Sequence, residues 1–102
     1  QTVTVAAVTT KVGPTERGLP DADALRANTD QLFARTITAA DLGARLVVWN
    51  EIATVMPPAE EPGFVARARA LARDRQIDLV LAYGVLVGAD RLLFDDKDLF
   101  IS

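Results

Sequence analysis

The spacing of apolar residues predicts strands and helices in alternation along the first half of the chain. Residues 2–8 are rich in β-branched side chains, with Val3, Val5 and Ala7 on one face, which indicates a strand. Glycines and prolines over residues 11–20 predict an exposed connection. Residues 21–42 carry acidic side chains in the first turn and an apolar stripe at helical spacing, which predicts a helix that ends at Gly43. The stripe consists of Leu25, Leu32, Phe33, Thr36, Ile37 and Ala40.

The second half repeats this alternation. Residues 45–49 are apolar on both faces, as is typical of an interior strand. Residues 50–63 are predicted to be irregular, and a shorter helix is predicted over about residues 64–75. Residues 77–87 predict a strand that ends in a tight turn at residues 88–90, followed by two short strands at residues 91–94 and 97–101. The stripe of the second helix consists of Phe64, Ala68, Leu71 and Ala72.

The order β-α-β-α-β-β predicts an α/β domain with a mixed sheet. Right-handed crossovers between parallel strands place the first three strands side by side and both helices on one face. The second face of the sheet is also apolar, yet the chain offers no helices to cover it. We therefore expect that face to pack against another layer, supplied by the remainder of a longer parent chain or by a second copy.

Composition narrows the class of protein. The 102 residues suffice for one small domain, and 50% of them are hydrophobic. A net charge of -3, with arginines spread around the second helix, argues against a nucleic-acid partner. The sequence contains neither a run of about 20 apolar residues nor a signal-peptide pattern. It begins at Gln1 and ends in the apolar residues 99–101, which suggests a piece of a longer protein.

Glu51 is the most informative polar residue, because it follows the apolar strand 45–49 after a single residue, Asn50. Open α/β sheets place their chemistry at the carboxyl ends of strands, so Glu51 is a candidate functional residue. Poor hydration beside Trp49 would raise the pKa of this carboxylate toward the range useful for proton transfer. The structural alternative is that Glu51 caps the next turn or pairs with Arg45. Trp49 is interpreted as a core residue and Asn50 as a turn former.

Several segments together resemble the N-terminal portion of a nitrilase-superfamily (carbon-nitrogen hydrolase) domain, over about residues 2–87. The segment Val47-Val48-Trp49-Asn50-Glu51-Ile52-Ala53 is most similar to the branch that contains the apolipoprotein N-acyltransferases. The usual version of that branch has Pro between the Trp and the Glu and has Thr in place of Ile52. The resemblance is carried by residues 2–8, Asn28, Ala39 and Ala40, residues 43–51, Phe64, Leu71 and Ala72, and residues 77–84.

The resemblance implies that the chain is part of a four-layer α-β-β-α sandwich with a Glu-Lys-Cys catalytic set, which hydrolyses an amide or transfers an acyl group. Glu51 matches the general base that activates the cysteine, and a lysine would stabilise the oxyanion. Lys97 lies among Asp95, Asp96 and Asp98 and is interpreted as a solvated residue of a polar turn. Cysteine and histidine are absent from the sequence, so we expect these residues alone to be inactive. No cofactor and no metal is expected.

The implied location and partners depend on the branch. The acyltransferase branch implies a catalytic domain on the extracytoplasmic face of a membrane, with the membrane helices elsewhere in the parent protein. A soluble branch implies a cytoplasmic enzyme that acts on a small amide or nitrile. Two other hypotheses remain open. In one, the domain is nitrilase-like but catalytically dead and acts in binding or assembly. In the other, it is a small flavodoxin-like module, complete at 102 residues, in which Glu51 orients a ligand.

Overall fold

The structure, a computed structural model, describes residues 4–8, 22–49, 53–87 and 90–102, with only the backbone given for residues 22 and 90–94. The connection predicted at residues 11–20, the turn residues 88 and 89, and residues 50–52 lie outside these ranges. In chain order the elements are β1 (Val5–Val8), α1 (Ala22–Asp41), β2 (Leu46–Trp49), β3 (Thr54–Met56), a 3₁₀ helix (Pro58–Glu60), α2 (Glu61–Arg75), β4 (Asp78–Val87) and β5 (Asp90–Ile101).

Within the described residues, five strands form one mixed sheet in which β4 is the central strand. β1 pairs with β2, β2 pairs with the first residues of β4, and β3 pairs with a later part of β4, all in parallel. β5 runs antiparallel to β4 along nearly its whole length. Residues Leu79 and Val80 pair with both β2 and β5, so β2 and β3 share one edge of β4 and β5 occupies the other. The predicted α/β class and the parallel neighbours β1, β2 and β4 are confirmed.

Helix α1 buries the apolar stripe predicted for it. Leu25, Leu32, Phe33 and Thr36 are all buried, and the helix ends at Asp41. Gly43 then adopts a φ of 104°, a left-handed conformation that side-chain-bearing residues rarely adopt. Its amide donates to the carbonyl of Ala40, and the amide of Ala44 donates to Ala39, which satisfies carbonyls of the last turn. Gly43 therefore ends α1 as predicted.

Helix α2 begins at Glu61, three residues before its predicted start. Proline is tolerated in a first turn, where its missing amide hydrogen is not needed, so Pro62 is compatible with the earlier start. Gln76, with a φ of 56°, ends the helix. The buried residues are those of the predicted stripe: Phe64, Ala68, Leu71 and Ala72.

Both helices pack on one face of the sheet, as predicted. Strand alternation places Val47 and Trp49 of β2 on the same face as Leu79, Leu81 and Tyr83 of β4. All five side chains are at most 3% exposed and belong to one core with the buried stripes of α1 and α2. We call this face the helix-covered face. Arg67 of α2 bridges to Asp30 of α1, and Arg75 of α2 bridges to Asp41 of α1.

The opposite face, which we call the open face, has no covering layer in the described residues. Strand pairing places apolar side chains of β1, β2 and β4 on it, together with the exposed carboxylates of Asp78, Asp96 and Asp98. Val5 and Phe100 on this face are 57% and 62% exposed, although both are large hydrophobic residues. The half-buried side chains of this face are Leu46, Val48, Val80 and Leu86. The structure is therefore compatible with an α-β-β-α sandwich in which this sheet forms one of the two inner layers.

Two predictions about strands are wrong. Part of the region predicted to be irregular forms β3, a strand of only three residues, too short to leave a periodic signal. The two short strands predicted near the end are a single strand, β5, so Lys97 lies inside a strand and not in a turn. A run of aspartates is compatible with this strand because Asp95, Asp96 and Asp98 are exposed to solvent. Neither described helix is long and apolar enough to cross a membrane.

Candidate active site

Glu51, the predicted catalytic residue, lies outside the described residues, as do its neighbours Asn50 and Ile52. The residues on either side are described. Trp49 ends β2, and the backbone amide of Ala53 donates a 3.0 Å hydrogen bond to Ala82 of β4. Glu51 thus lies in the sequence between two residues with defined positions, Trp49 at the carboxyl end of β2 and Ala53 just before β3.

The pairing with β4 changes register between these two points. Val48 of β2 pairs with Val80 of β4, and Thr54 of β3 pairs with Tyr83 of β4. Thr54 is six residues after Val48, whereas Tyr83 is only three residues after Val80. Three surplus residues are therefore inserted into an otherwise paired edge. Irregularities of this kind re-aim side chains and are over-represented beside active sites. We call this interruption, between Trp49 and Ala53, the strand step.

Helix α1 fixes the chain on the near side of the strand step. The indole Nε1 of Trp49 donates a 3.0 Å hydrogen bond to the hydroxyl of Thr36, which itself donates to the carbonyl of Leu32 at 2.8 Å. Trp49 is 1% exposed and Thr36 is fully buried. The end of β2 is therefore held by a directional bond as well as by packing, and the interpretation of Trp49 as a core residue agrees with this geometry.

The same helix fixes the chain on the far side. The side-chain amide of Asn28 donates a 2.8 Å hydrogen bond to the carbonyl of Ala53, and the hydroxyls of Thr29 and Thr54 lie 2.7 Å apart. The Oδ1 atom of Asn28 is buried and has no partner among the described residues. Reversing the amide would point this oxygen at the carbonyl of Ala53, so the assigned orientation is the favourable one.

All three polar side chains that are buried in the described part of the chain, Asn28, Thr36 and Thr54, belong to this bracing. Sequence reasoning placed Thr36 on the apolar stripe and noted Asn28 only within the family resemblance. The available signal was helical spacing, because Asn28, Leu32 and Thr36 are four residues apart and share one face. Polar residues on a buried face require partners, and here the partners flank Glu51.

Four aromatic rings pack in the core beside the strand step. The ring centroids of Phe33 and Trp49 are 5.3 Å apart, those of Phe33 and Phe64 are 5.6 Å apart, and those of Phe64 and Tyr83 are 4.8 Å apart. The hydroxyl of Tyr83 donates a 2.8 Å hydrogen bond to the carboxylate of Glu61. Burial raises the pKa of Tyr83 to about 12, and the hydrogen bond to Glu61 and the negative charge of Glu61 act in the same direction. Tyr83 is therefore a neutral donor at physiological pH.

Lys97 lies on β5, where it pairs with Tyr83 of β4, and its side chain is exposed. β4 thus separates it from the edge that carries the strand step, so the structural reading of Lys97 as a solvated residue is retained even though its predicted turn is wrong. Among residues 4–8, 22–49, 53–87 and 90–102, no group of three His, Cys, Asp or Glu side chains could hold a metal ion.

No protein-family model matches the chain, and a search of curated proteins gives no significant match.

Proposed function

We propose that this chain is the N-terminal portion of a carbon-nitrogen hydrolase or N-acyltransferase domain in which Glu51 is the general base. The observation that carries the proposal is the strand step. Three surplus residues fall where Glu51 follows β2, and the carboxyl ends of β1 and β2 coincide there because Val8 pairs with Trp49. Groups at the carboxyl ends of parallel strands are the usual source of chemistry in α/β folds.

The bracing by α1 supports this assignment. A general base must be held at a defined distance from the proton that it removes, and a loop without anchors does not provide this. Asn28 and Thr36 fix the residues immediately before and after the strand step through buried hydrogen bonds.

The proposed chemistry divides amide cleavage into two steps. Glu51 accepts the proton of a cysteine thiol supplied by polypeptide beyond these residues, and the thiolate attacks the carbonyl carbon of the substrate. A lysine from the same polypeptide stabilises the oxyanion. The carbon-nitrogen bond breaks, the proton passes to the departing amine, and an acyl-enzyme thioester remains. Water or an acceptor amine then takes the acyl group and restores the thiol.

The open face supports the sandwich that this function requires. Val5 and Phe100 on this face keep more than half of their surfaces exposed, and a second layer would remove this apolar surface from water. We propose that a second sheet, from the remainder of the protein or from a second copy, packs on this face. The location follows the branch: the extracytoplasmic face of a membrane for an N-acyltransferase, and the cytoplasm for a soluble amidase.

The test is Glu51→Gln in the full-length protein, which keeps the size of the side chain and removes the base. Amide turnover should fall by about 10²-fold or more, because general-base catalysis typically contributes that much. The rate of thiol alkylation by iodoacetamide at neutral pH should fall as well, because an unassisted thiol has a pKa of about 8.5. This second readout requires no knowledge of the substrate.

Glu60→Gln is the matched control, since Glu60 lies on the 3₁₀ helix and makes an exposed ion pair with Arg26. It should leave both rates unchanged. Near-normal alkylation and turnover in Glu51→Gln would remove Glu51 from the mechanism. A full-length protein without a reactive cysteine would instead favour the catalytically dead, assembly-type alternative.

A further inference from the structure

A cavity opens between the two helices, beside the residues that brace the strand step. It has a volume of about 400 Å³ and lies between the N-terminal half of α1, the end of β3 and the first turns of α2. Its floor is apolar and includes Phe33, Met56 and Phe64, each of which is at most 6% exposed to solvent. Small-molecule sites typically span about 300–1,000 Å³ and have such linings with a few polar groups at the edge.

Charged side chains of both signs form the rim. Arg26 pairs with Glu60 at 2.8 Å, and Arg67 pairs with Asp30 at 2.7 Å; all four residues line the cavity. The Arg67 and Asp30 side chains are 50% and 66% exposed, so solvent screens their attraction and a ligand group can replace either partner at little cost. The two cations and two carboxylates cancel in net charge.

One feature of the rim favours an anion over a cation. The guanidinium carbon of Arg67 lies 4.3 Å from the centre of the Phe33 ring, so a cation already occupies the boundary between the rim and the apolar floor.

We propose that this cavity binds a small amphipathic carboxylate, with its apolar group against Met56 and Phe64 and its carboxylate on Arg67 in exchange for Asp30. The site is built only from residues outside the strand step. It therefore does not depend on the role proposed for Glu51, and each proposal can fail without the other.

The probe pair is 3-phenylpropionate and 3-phenylpropylamine, which have the same apolar group and opposite charge. Met56 is the single methionine of the sequence and lines the cavity, so its ¹³C-labelled methyl group gives one resonance at the site. We expect this resonance to move with saturation by 3-phenylpropionate at concentrations on the order of millimolar, as suits a ligand of this size. The amine should bind about tenfold more weakly or not at all.

Two matched arginine variants locate the carboxylate. Arg67→Gln should weaken the binding of 3-phenylpropionate by about tenfold, because a charge-assisted hydrogen bond is lost at the edge of an apolar floor. Arg69→Gln, on the same helix but not lining the cavity, should leave the affinity unchanged. The dispersion of the amide spectrum establishes that each variant is folded.

Three outcomes overturn the proposal. The first is a Met56 methyl resonance that neither probe moves. The second is an equal or higher affinity for the amine, which would mean that Asp30 and Glu60 dominate the rim. The third is a carboxylate affinity that Arg67→Gln leaves intact in a folded protein.

Discussion

On the helix-covered face of the sheet, Val47, Leu79 and Leu81 are fully buried, whereas on the open face Val5 and Phe100 keep 57% and 62% of their surfaces exposed. Both faces carry large apolar side chains, often adjacent in one strand, and the open face also carries the exposed residues Asp78, Asp96 and Asp98. Leu79 and Val80 follow each other in β4, yet only Leu79 faces the helices. Apolar side chains alone therefore do not tell which face of the sheet is buried, because the helices cover only one of the two faces that carry them.

The comparison also separates two kinds of stabilisation. The helix-covered face combines apolar burial with directed hydrogen bonds from α1, and both converge on the strand step. The described part of the open face offers apolar surface without such anchors, and surface of that kind stabilises a protein only when a second layer removes it from water. Stability should thus depend strongly on residues of one face and weakly on those of the other.

The largest expected effect comes from Leu79→Ala. Leu79 is fully buried in the core, so its truncation should lower the free energy of unfolding by about 2–5 kcal/mol. Val80→Ala, the neighbouring change on the open face, should cost about 1 kcal/mol or less, because Val80 is only half-buried and its side chain is smaller. Urea denaturation of both variants measures the difference.

Equal losses for the two variants would mean that the open face is covered in solution to the same degree as the other. A loss for Val80→Ala that grows with protein concentration would identify the cover as a second copy, since association then contributes to stability. A small, concentration-independent loss would exclude a second copy as the cover of this face.

The next effect in size concerns the bracing of the strand step. Thr36→Val removes the hydroxyl that accepts from Trp49 and leaves a buried indole N–H without its partner, which should cost about 1–3 kcal/mol. Thr38→Val is the control, because Thr38 makes the same bond to the carbonyl four residues earlier but is exposed and reaches no strand. Thermal denaturation measures both losses. Similar losses for Thr36→Val and Thr38→Val would show that the bond to Trp49 contributes nothing specific.

Sequence patterns predict the long elements of this fold well. The apolar stripes of α1 and α2 identify their buried residues because helical spacing repeats over several turns, and Gly43 marks the end of α1 through its backbone freedom. The three residues of β3 and the continuity of β5 leave no such signal. Those elements form because β4 offers free edges to pair with, which is a property of the assembled sheet and not of the local sequence.

The candidate sites are less accessible from sequence. Glu51 could be singled out because it follows an apolar strand, but its anchors come from Asn28 and Thr36, more than ten residues earlier in the chain. The cavity between the helices is harder still to foresee. It depends on residues as distant in the sequence as Leu25 and Arg67 lining one space between the helices, and no short motif encodes that arrangement.

The smallest effect at neutral pH concerns Tyr83, which tests how well the helix layer excludes water from the sheet. The pKa of Tyr83 is raised from 10.0 to about 12, first by burial and then by the hydrogen bond to Glu61. A group whose folded pKa is raised contributes stability that is complete below its unfolded pKa, here 10, and is lost as the pH rises through about 12. Stability should therefore be unaffected at pH 7 and should decline between pH 10 and pH 12.

Because Tyr83 is the single tyrosine in the sequence, absorbance at 295 nm follows its ionisation directly. Tyr83→Phe should remove this part of the alkaline decline, since no phenol remains to ionise. Glu61→Gln should lower the pKa of Tyr83 without restoring it to 10, because the neutral amide removes the repulsion between two negative charges while burial persists. Ionisation at pH 10 in the folded wild-type protein would mean that water reaches this part of the helix-covered face, and the contrast between the two faces would then be smaller than their side-chain exposures indicate.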